Sequence, residues 1–441
     1  MIRASRIRFT AINESGYPLL VALFEAARES PAIRNAMLAL AGCLRTATGD
    51  DSHAGDAAPS ASPSPAESAA AARYQASLGE LRGKISDFQH GRAAGGDATE
   101  ILGCVMMLII AGFPSTVGSA GPGDWALHIA GMVSLVESLD ARVIGATAIG
   151  RMSRELAAQL SIGAFSLGCQ RSLGCAWLEW GIHPPDVPQD PDFSPLEIIR
   201  GYPKSLLTIM AALSAVLEQQ ADGQVDPLIG DTVQKLYDAA RQREGAAVRS
   251  PGHGPYATFQ SPAWTSGSLL SMLETALTVW GPPDIPSRMS VGVVTALTNA
   301  WEVMRKAALI YLWRGGFGTE LTASLSPRNA TTTAKYVKEM LLVLRALLHA
   351  TDEQGITVMN SMTWPIMVIG NESGTSPDIQ GEILSLLQGM ERRFSMPHLS
   401  HLSDILRTLW QRAGQTSHGL DEINVSLEGI ARETGACLPL F

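Results

Sequence analysis

Charge is the first thing this chain is short of: Asp, Glu, Lys and Arg make up 17% of its 441 residues, against about a quarter in an average globular protein. The charge present leans negative, with 33 Lys and Arg against 42 Asp and Glu and a formal −9 at pH 7. Holding DNA needs clustered cations to neutralise phosphates. Beyond Arg3, Arg6 and Arg8 no basic cluster occurs, so direct DNA contact by this chain is not expected. Cysteine is also sparse: Cys43, Cys104, Cys169, Cys175 and Cys437 form an odd, scattered set without a C-x-x-C pair. That excludes a dense disulfide framework and reads as small core residues in a reducing compartment. The longest apolar run, Ile101 to Phe113, falls short of the roughly 20 residues a bilayer requires, and residues 1–20 carry no apolar stretch of the kind a secretory signal needs.

Catalytic motifs are missing too. There is no Walker A, no H-E-x-x-H, no G-x-S-x-G and no D-D-x-x-D of the terpene-cyclase kind; Asp50-Asp51 lies in a Ser/Ala/Pro-rich tract. Gly121, Gly123 and Ala126 fit G-x-G-x-x-A, but no strand pattern precedes them, and the dinucleotide fingerprint has meaning only in a βαβ unit. No stretch alternates apolar and polar residues with period two, and no repeat of fixed length is found.

What remains is abundant apolar content, 46% of residues, arranged with helical period. Helices are expected over Tyr17–Ala27, Pro31–Arg45 (with Ser30 as N-cap), Tyr74–Gln89, Ala98–Ala111, Asp124–Leu139, Ser153–Ser166, Leu173–Trp180, Pro203–Gln219, Pro227–Arg243 and a segment ending near Trp280. Farther on, Trp301, Met304, Ala308, Tyr311 and Leu312 share one face with Arg305 and Lys306 opposite, and Tyr336, Met340, Leu344 and Leu347 repeat the pattern. The fold class is therefore all-α. An N-terminal tail over 1–16 precedes a helical domain over 17–441, with a disordered insertion at 49–72 and irregular loops at 183–195, 244–262 and 281–286.

Candidate sites are few. His398, His401 and Asp404 form H-x-x-H-x-x-D, and the first turns of a helix account for such polar residues without a metal. His128, one turn from Trp125, is read as a hydrogen-bonded structural histidine rather than a ligand or catalyst. Nine tryptophans and sixteen methionines could line an apolar pocket for a small-molecule effector, although core packing explains them as well. No catalytic, metal-binding or DNA-binding residue and no cofactor is assigned.

Two stretches carry a resemblance. In the first, Trp125, Ile129, Met132 and Val136 share a helix face, Gly131 offers room for a second backbone, and an apolar helix and G-P-G-D loop lead in. In the second, Trp364, Pro365, Gly370 and Glu372 introduce a helix with Ile383, Leu384, Leu387 and Met390, and Trp410 follows Leu406. With Trp125, His128 and Gly131 in the first, the order and layout resemble the fungal-specific transcription factor domain, the regulatory domain that normally follows a zinc binuclear cluster. The S-P-x-I-R run at Ser30–Arg34, the Tyr74/Leu81/Arg82 pattern and A-L-I-Y-L before Trp313 are similar as well; Ile369 stands where the family usually has Ala. The six thiolates of a zinc cluster are absent from this sequence, so either the chain regulates through partners or a cluster lies upstream of Met1.

The resemblance implies a nuclear, non-enzymatic activator of a secondary-metabolite gene cluster. In layout it is similar to regulators of trichothecene-type mycotoxin biosynthesis. The implied partners are a DNA-binding transcription factor or the transcription machinery, with an effector ligand and a homodimer open and no membrane involved. The competing expectation is a biosynthetic enzyme or metabolite-binding protein on the same fold, which would show polar groups converging around His128 or around His398 and His401.

Overall fold

Ala- and Leu-rich segments with apolar residues at three- and four-residue spacing wind into helices because that spacing gathers one buried stripe. A computed structural model describes residues 17–47, 65–92, 95–112, 124–169, 175–182, 201–220, 225–247, 264–285, 289–318, 325–354, 358–374, 376–394, 396, 398–416 and 425–440. Among them are seventeen α-helices and one pair of two-residue strands. The mainly helical fold class expected from the sequence is what the chain adopts.

The first seven helices are α1 (Tyr17–Glu29), α2 (Pro31–Ala47), α3 (Pro65–Gln89), α4 (Gly95–Gly112), α5 (Asp124–Ser138), α6 (Ala141–Ala146) and α7 (Ala148–Leu160). They enclose one hydrophobic core, with Leu23, Ile33, Ile101, Met106 and Met132 inside it. α4 is buried from Ile101 through Ile109, as expected of a helix apolar on all sides. α2 begins as its sequence predicts: Pro31 occupies the first helical position and the Ser30 hydroxyl accepts the Ile33 N–H at 3.2 Å.

Ten helices follow: α8 (Ala176–Glu179), α9 (Lys204–Gln219), α10 (Pro227–Ala247), α11 (Ser266–Val279), α12 (Val291–Arg314), α13 (Pro327–Gln354), α14 (Thr363–Asn371), α15 (Pro377–Phe394), α16 (His398–Thr416) and α17 (Leu427–Glu433). They build a second, larger core around Met210, Trp301, Met304, Trp364, Leu387 and Leu406. The two cores meet at α7, where Ala157 and Leu160 face the first and Ala158 the second, and at Trp180, which packs against both. An ion pair of little exposure, Lys204 to Glu155 at 3.2 Å, ties α9 to α7 across the same seam.

Four sequence expectations need correction. The insertion at 49–72 ends early: α3 starts at Pro65, and Ala70 is buried. Pro is tolerated in a first turn and a run of alanines is the best helix former available, so these residues extend the helix once α2 packs beside them. The loop placed at 244–262 likewise loses residues to α10, which continues to Ala247.

The helix expected over Ser153–Ser166 is shifted. It runs from Ala148 to Leu160, with Thr147 accepting the Gly150 N–H at 3.0 Å, and Gly163–Phe165 turns as a 3₁₀ helix into a strand. That strand, β1 (Ser166–Leu167), pairs antiparallel with β2 (Leu438–Pro439), Ser166 opposite Pro439 and Leu167 opposite Leu438. Strands of two residues are too short for a period-two pattern to register.

The fourth correction concerns the cysteines, since Cys169 and Cys437 are joined in a disulfide across 268 residues of sequence; Cys43, Cys104 and Cys175 carry no disulfide among the described residues. Residues 281–285, within the stretch 281–286 read as an irregular loop, follow α11 outside any helix or strand. The N-terminal tail over 1–16, the loop at 183–195, residues 49–64 of the insertion, and Gly121 and Gly123 lie outside the described residues.

Candidate functional site

The two stretches singled out in the sequence occupy different cores, and the C-terminal segment joins them. In the first core, α5 turns Trp125, Ile129, Met132 and Val136 inward, all 6% exposed or less. The Trp125 indole N–H donates to the Cys437 carbonyl at 2.9 Å, so this buried donor is satisfied by the far end of the chain. His128 Nε2 lies 2.7 Å from the Tyr74 hydroxyl, with the rings edge to face. Both side chains are half-buried, and the pair ties α5 to α3. Gly131 differs from expectation: it is exposed, and a Cβ there would meet nothing within 4 Å. It sits on the outer side of α5, a helical turn from exposed Leu127, and among the described residues no second backbone approaches it.

In the second core, α14 is buried along its whole length. Trp364, 0% exposed, meets Tyr311 of α12 at 5.5 Å between ring centroids and Phe165 at 5.8 Å, both edge to face. Phe165 stacks in turn on Tyr202 at 6.0 Å, whose hydroxyl donates to the Ser361 carbonyl just before α14. Pro365 falls in the first turn of α14, where a backbone N–H would have no intrahelical partner.

Gly370 faces α16. A Cβ there would stand 2.7 Å from Leu406 Cδ2, and the Gly370 carbonyl accepts the Trp410 indole N–H at 2.9 Å. Only a residue without a side chain lets the two helices close to this distance. Gly370→Ala is therefore expected to lower stability on balance. Overpacking costs about 1–3 kcal/mol, which outweighs the roughly 0.5–1 kcal/mol gained from helix propensity. A thermal melt checks this; a variant melting at or above wild type would show that Leu406 yields freely.

Glu372, the last of the motif residues, accepts a two-pronged ion pair from Arg314 at the end of α12: Nε at 2.8 Å and Nη2 at 2.6 Å. Both side chains are buried, at 5% and 10% exposure. Nothing in the local sequence spacing announces Arg314, because it precedes Glu372 by 58 residues.

The sequence's H-x-x-H-x-x-D does not assemble. His398 is buried, whereas His401 is exposed and Asp404 pairs with Arg407 at 2.7 Å. Among the described residues no three His, Cys, Asp or Glu side chains group as a metal would require. The convergent polar cluster that an enzyme would need around His128 or around His398 and His401 is likewise not formed by the described residues: His128 meets a tyrosine, and His401 and Asp404 lie on the outside of α16. No described helix is long and apolar enough to cross a membrane.

Chemically, both neighbourhoods hold helices in place. Four long-range links close a path from one to the other: Trp125 to Cys437, Cys437 to Cys169, the Leu440 N–H to the Phe165 carbonyl at 2.9 Å, and Phe165 to Trp364. Compared with known proteins, the chain matches one family model, described as the fungal specific transcription factor domain, over residues 3–424. No curated protein and no solved structure matches significantly.

Proposed function

This chain belongs to the fungal specific transcription factor domain family, and from that premise we propose that it activates a secondary-metabolite gene cluster from the nucleus by contacting other proteins. The family is a regulatory, non-enzymatic one, so the chain is a transcriptional regulator rather than a biosynthetic enzyme, and membership is consistent with a nuclear protein. The observation that carries the reading is the length of the match, 3–424 of 441 residues.

Action through partners is supported by charge. A net −9 with no basic cluster beyond Arg3, Arg6 and Arg8 leaves phosphate neutralisation to another chain. A DNA-binding factor would supply it, and exposed helix faces would make the contact with that factor or with the transcription machinery. Trp125, His128, Trp364, Pro365, Gly370 and Glu372 serve this function by setting the relative positions of helices rather than by touching a partner. Gly131, on an open helix face, has no such role in the fold. A trichothecene-type pathway is the specific case, and it rests on the layout of the sequence alone.

Deleting the gene and profiling transcripts beside metabolites tests the proposal. A linked group of biosynthetic genes is expected to fall silent together. Persistence of those transcripts while a single metabolite vanishes would overturn the regulator reading.

A further inference from the structure

Cys169 and Cys437 are the two cysteines that the sequence gives no reason to pair, and they close at the seam between the two cores. Cys169 and Cys437 pack on the first core, while Leu438 and Leu440, in the residues that follow, are buried in the second. The last turn of the chain is thus a strap over both. We propose that this cysteine pair is a reversible thiol–disulfide site that latches the C-terminal strap, residues 436–440, across the two cores when oxidised and releases it when reduced.

Three features on the strap support this. First, apart from the disulfide, few contacts among the described residues hold it: the short β1–β2 pairing, the Ala436 N–H to the Ala431 carbonyl, the Leu440 and Trp125 hydrogen bonds, and the burial of Leu438, Pro439 and Leu440. Elements with so few contacts open locally without global unfolding. Second, the pair lies beside exposed chain: Cys437 is half-buried and follows the exposed turn Arg432–Gly435.

Third, the backbone is shaped around the closed strap. Gly168, next to Cys169, takes a left-handed φ of +74°, and a Cβ there would stand 2.0 Å from the Ala436 carbonyl. Any side chain at 168 would push the strap away and the sulfurs apart. The remaining thiols do not compete: Cys43 and Cys104 are buried, and burial pushes Cys104 up to about 11 and Cys175 up to about 12, leaving almost no thiolate at neutral pH.

The exchange balances with glutathione as the couple. The Cys437 thiolate attacks glutathione disulfide, forming a mixed disulfide and expelling one glutathione thiolate. The Cys169 thiolate then attacks the Cys437 sulfur and expels the second. The two protons lost by the cysteines are taken up by the two glutathiones, and the reverse reaction reduces the latch. Release uncovers the Trp125 indole N–H and the backbone edge of Ser166 and Leu167, both covered in the oxidised form.

The full-length chain is equilibrated in buffers of oxidised or reduced glutathione, trapped by alkylation and mapped by mass spectrometry, with amide exchange measured in parallel. The oxidised sample is expected to show Cys169 joined to Cys437, with the buried Cys43 and Cys104 modified only after denaturation. On reduction, exchange over 436–440 and 166–168 is expected to rise about tenfold or more, while α12 keeps its protection. Cys437→Ser should show the raised exchange in both buffers. The proposal is overturned if the pair fails to form in oxidised glutathione, or if strap exchange is the same in both states. It is equally overturned if reduction strips α12 of protection together with the strap, because the bond is then a structural staple. Should Cys437→Ser fail to fold, the reduced wild-type protein alone decides among these outcomes.

Discussion

Trp364→Ala is expected to cost about 3–5 kcal/mol, the range for removing a fully buried large aromatic side chain. The reason lies in what surrounds it. Trp364 is 0% exposed and bridges Tyr311 on α12 to Phe165, the residue whose carbonyl receives the C-terminal strap. Its indole N–H has no hydrogen-bond partner among the described residues, so its contribution is packing, and the cavity left by alanine would be lined by rings that cannot collapse without moving α12. Trp364→Phe, which keeps an aromatic ring, should lose much less. Urea unfolding followed by far-UV circular dichroism separates the two variants. Equal losses for Ala and Phe would mean that the indole N–H, rather than volume, matters, and would contradict the packing account.

Arg314→Met is expected to be as damaging, about 3–5 kcal/mol, because it leaves the Glu372 carboxylate buried without its cation. Exposure decides the size of the effect. Surface pairs such as Arg142 with Asp140, where the arginine side chain is 92% exposed, are screened by solvent and contribute little. Glu372 is 5% exposed and takes two charge-assisted hydrogen bonds from a planar guanidinium. The double variant Arg314→Met/Glu372→Leu should recover most of the loss, since replacing both partners by apolar groups removes the desolvation cost along with the attraction. Urea midpoints of wild type, both single variants and the double variant form a thermodynamic cycle. Losses that simply add, within about 0.5 kcal/mol, would show that Arg314 and Glu372 act independently.

The same two residues mark where reading the sequence succeeds and where it stops. Glu372 was recognisable beside Trp364, Pro365 and Gly370, because the four lie within nine residues and share one helix and its cap. Arg314 follows A-L-I-Y-L and Trp313 with no local pattern that marks a buried partner. Trp410 was noted as a tryptophan on a later helix, but that its indole N–H caps the Gly370 carbonyl required α14 and α16 to be set side by side. Gly131 shows the opposite failure: glycine in a buried-looking helix suggests a close approach, and its actual place on the outer face depends on where the neighbouring helices were laid.

Local order, then, was determined by the sequence by itself: the helical period, the Ser30-Pro31 start of α2, the central place of α4 and the inward faces of α5 and α12. Each of these depends on residues within one or two turns of each other, and a period of 3.6 is written into any such window. The division into two cores, the ion pair inside the second, the β1–β2 pairing and the bond between Cys169 and Cys437 arise from packing between remote segments. A link across 268 residues leaves no spacing to read, because chain distance carries no periodic signal once the chain turns back on itself. Such contacts come into being when packed helices bring remote side chains within a few ångströms.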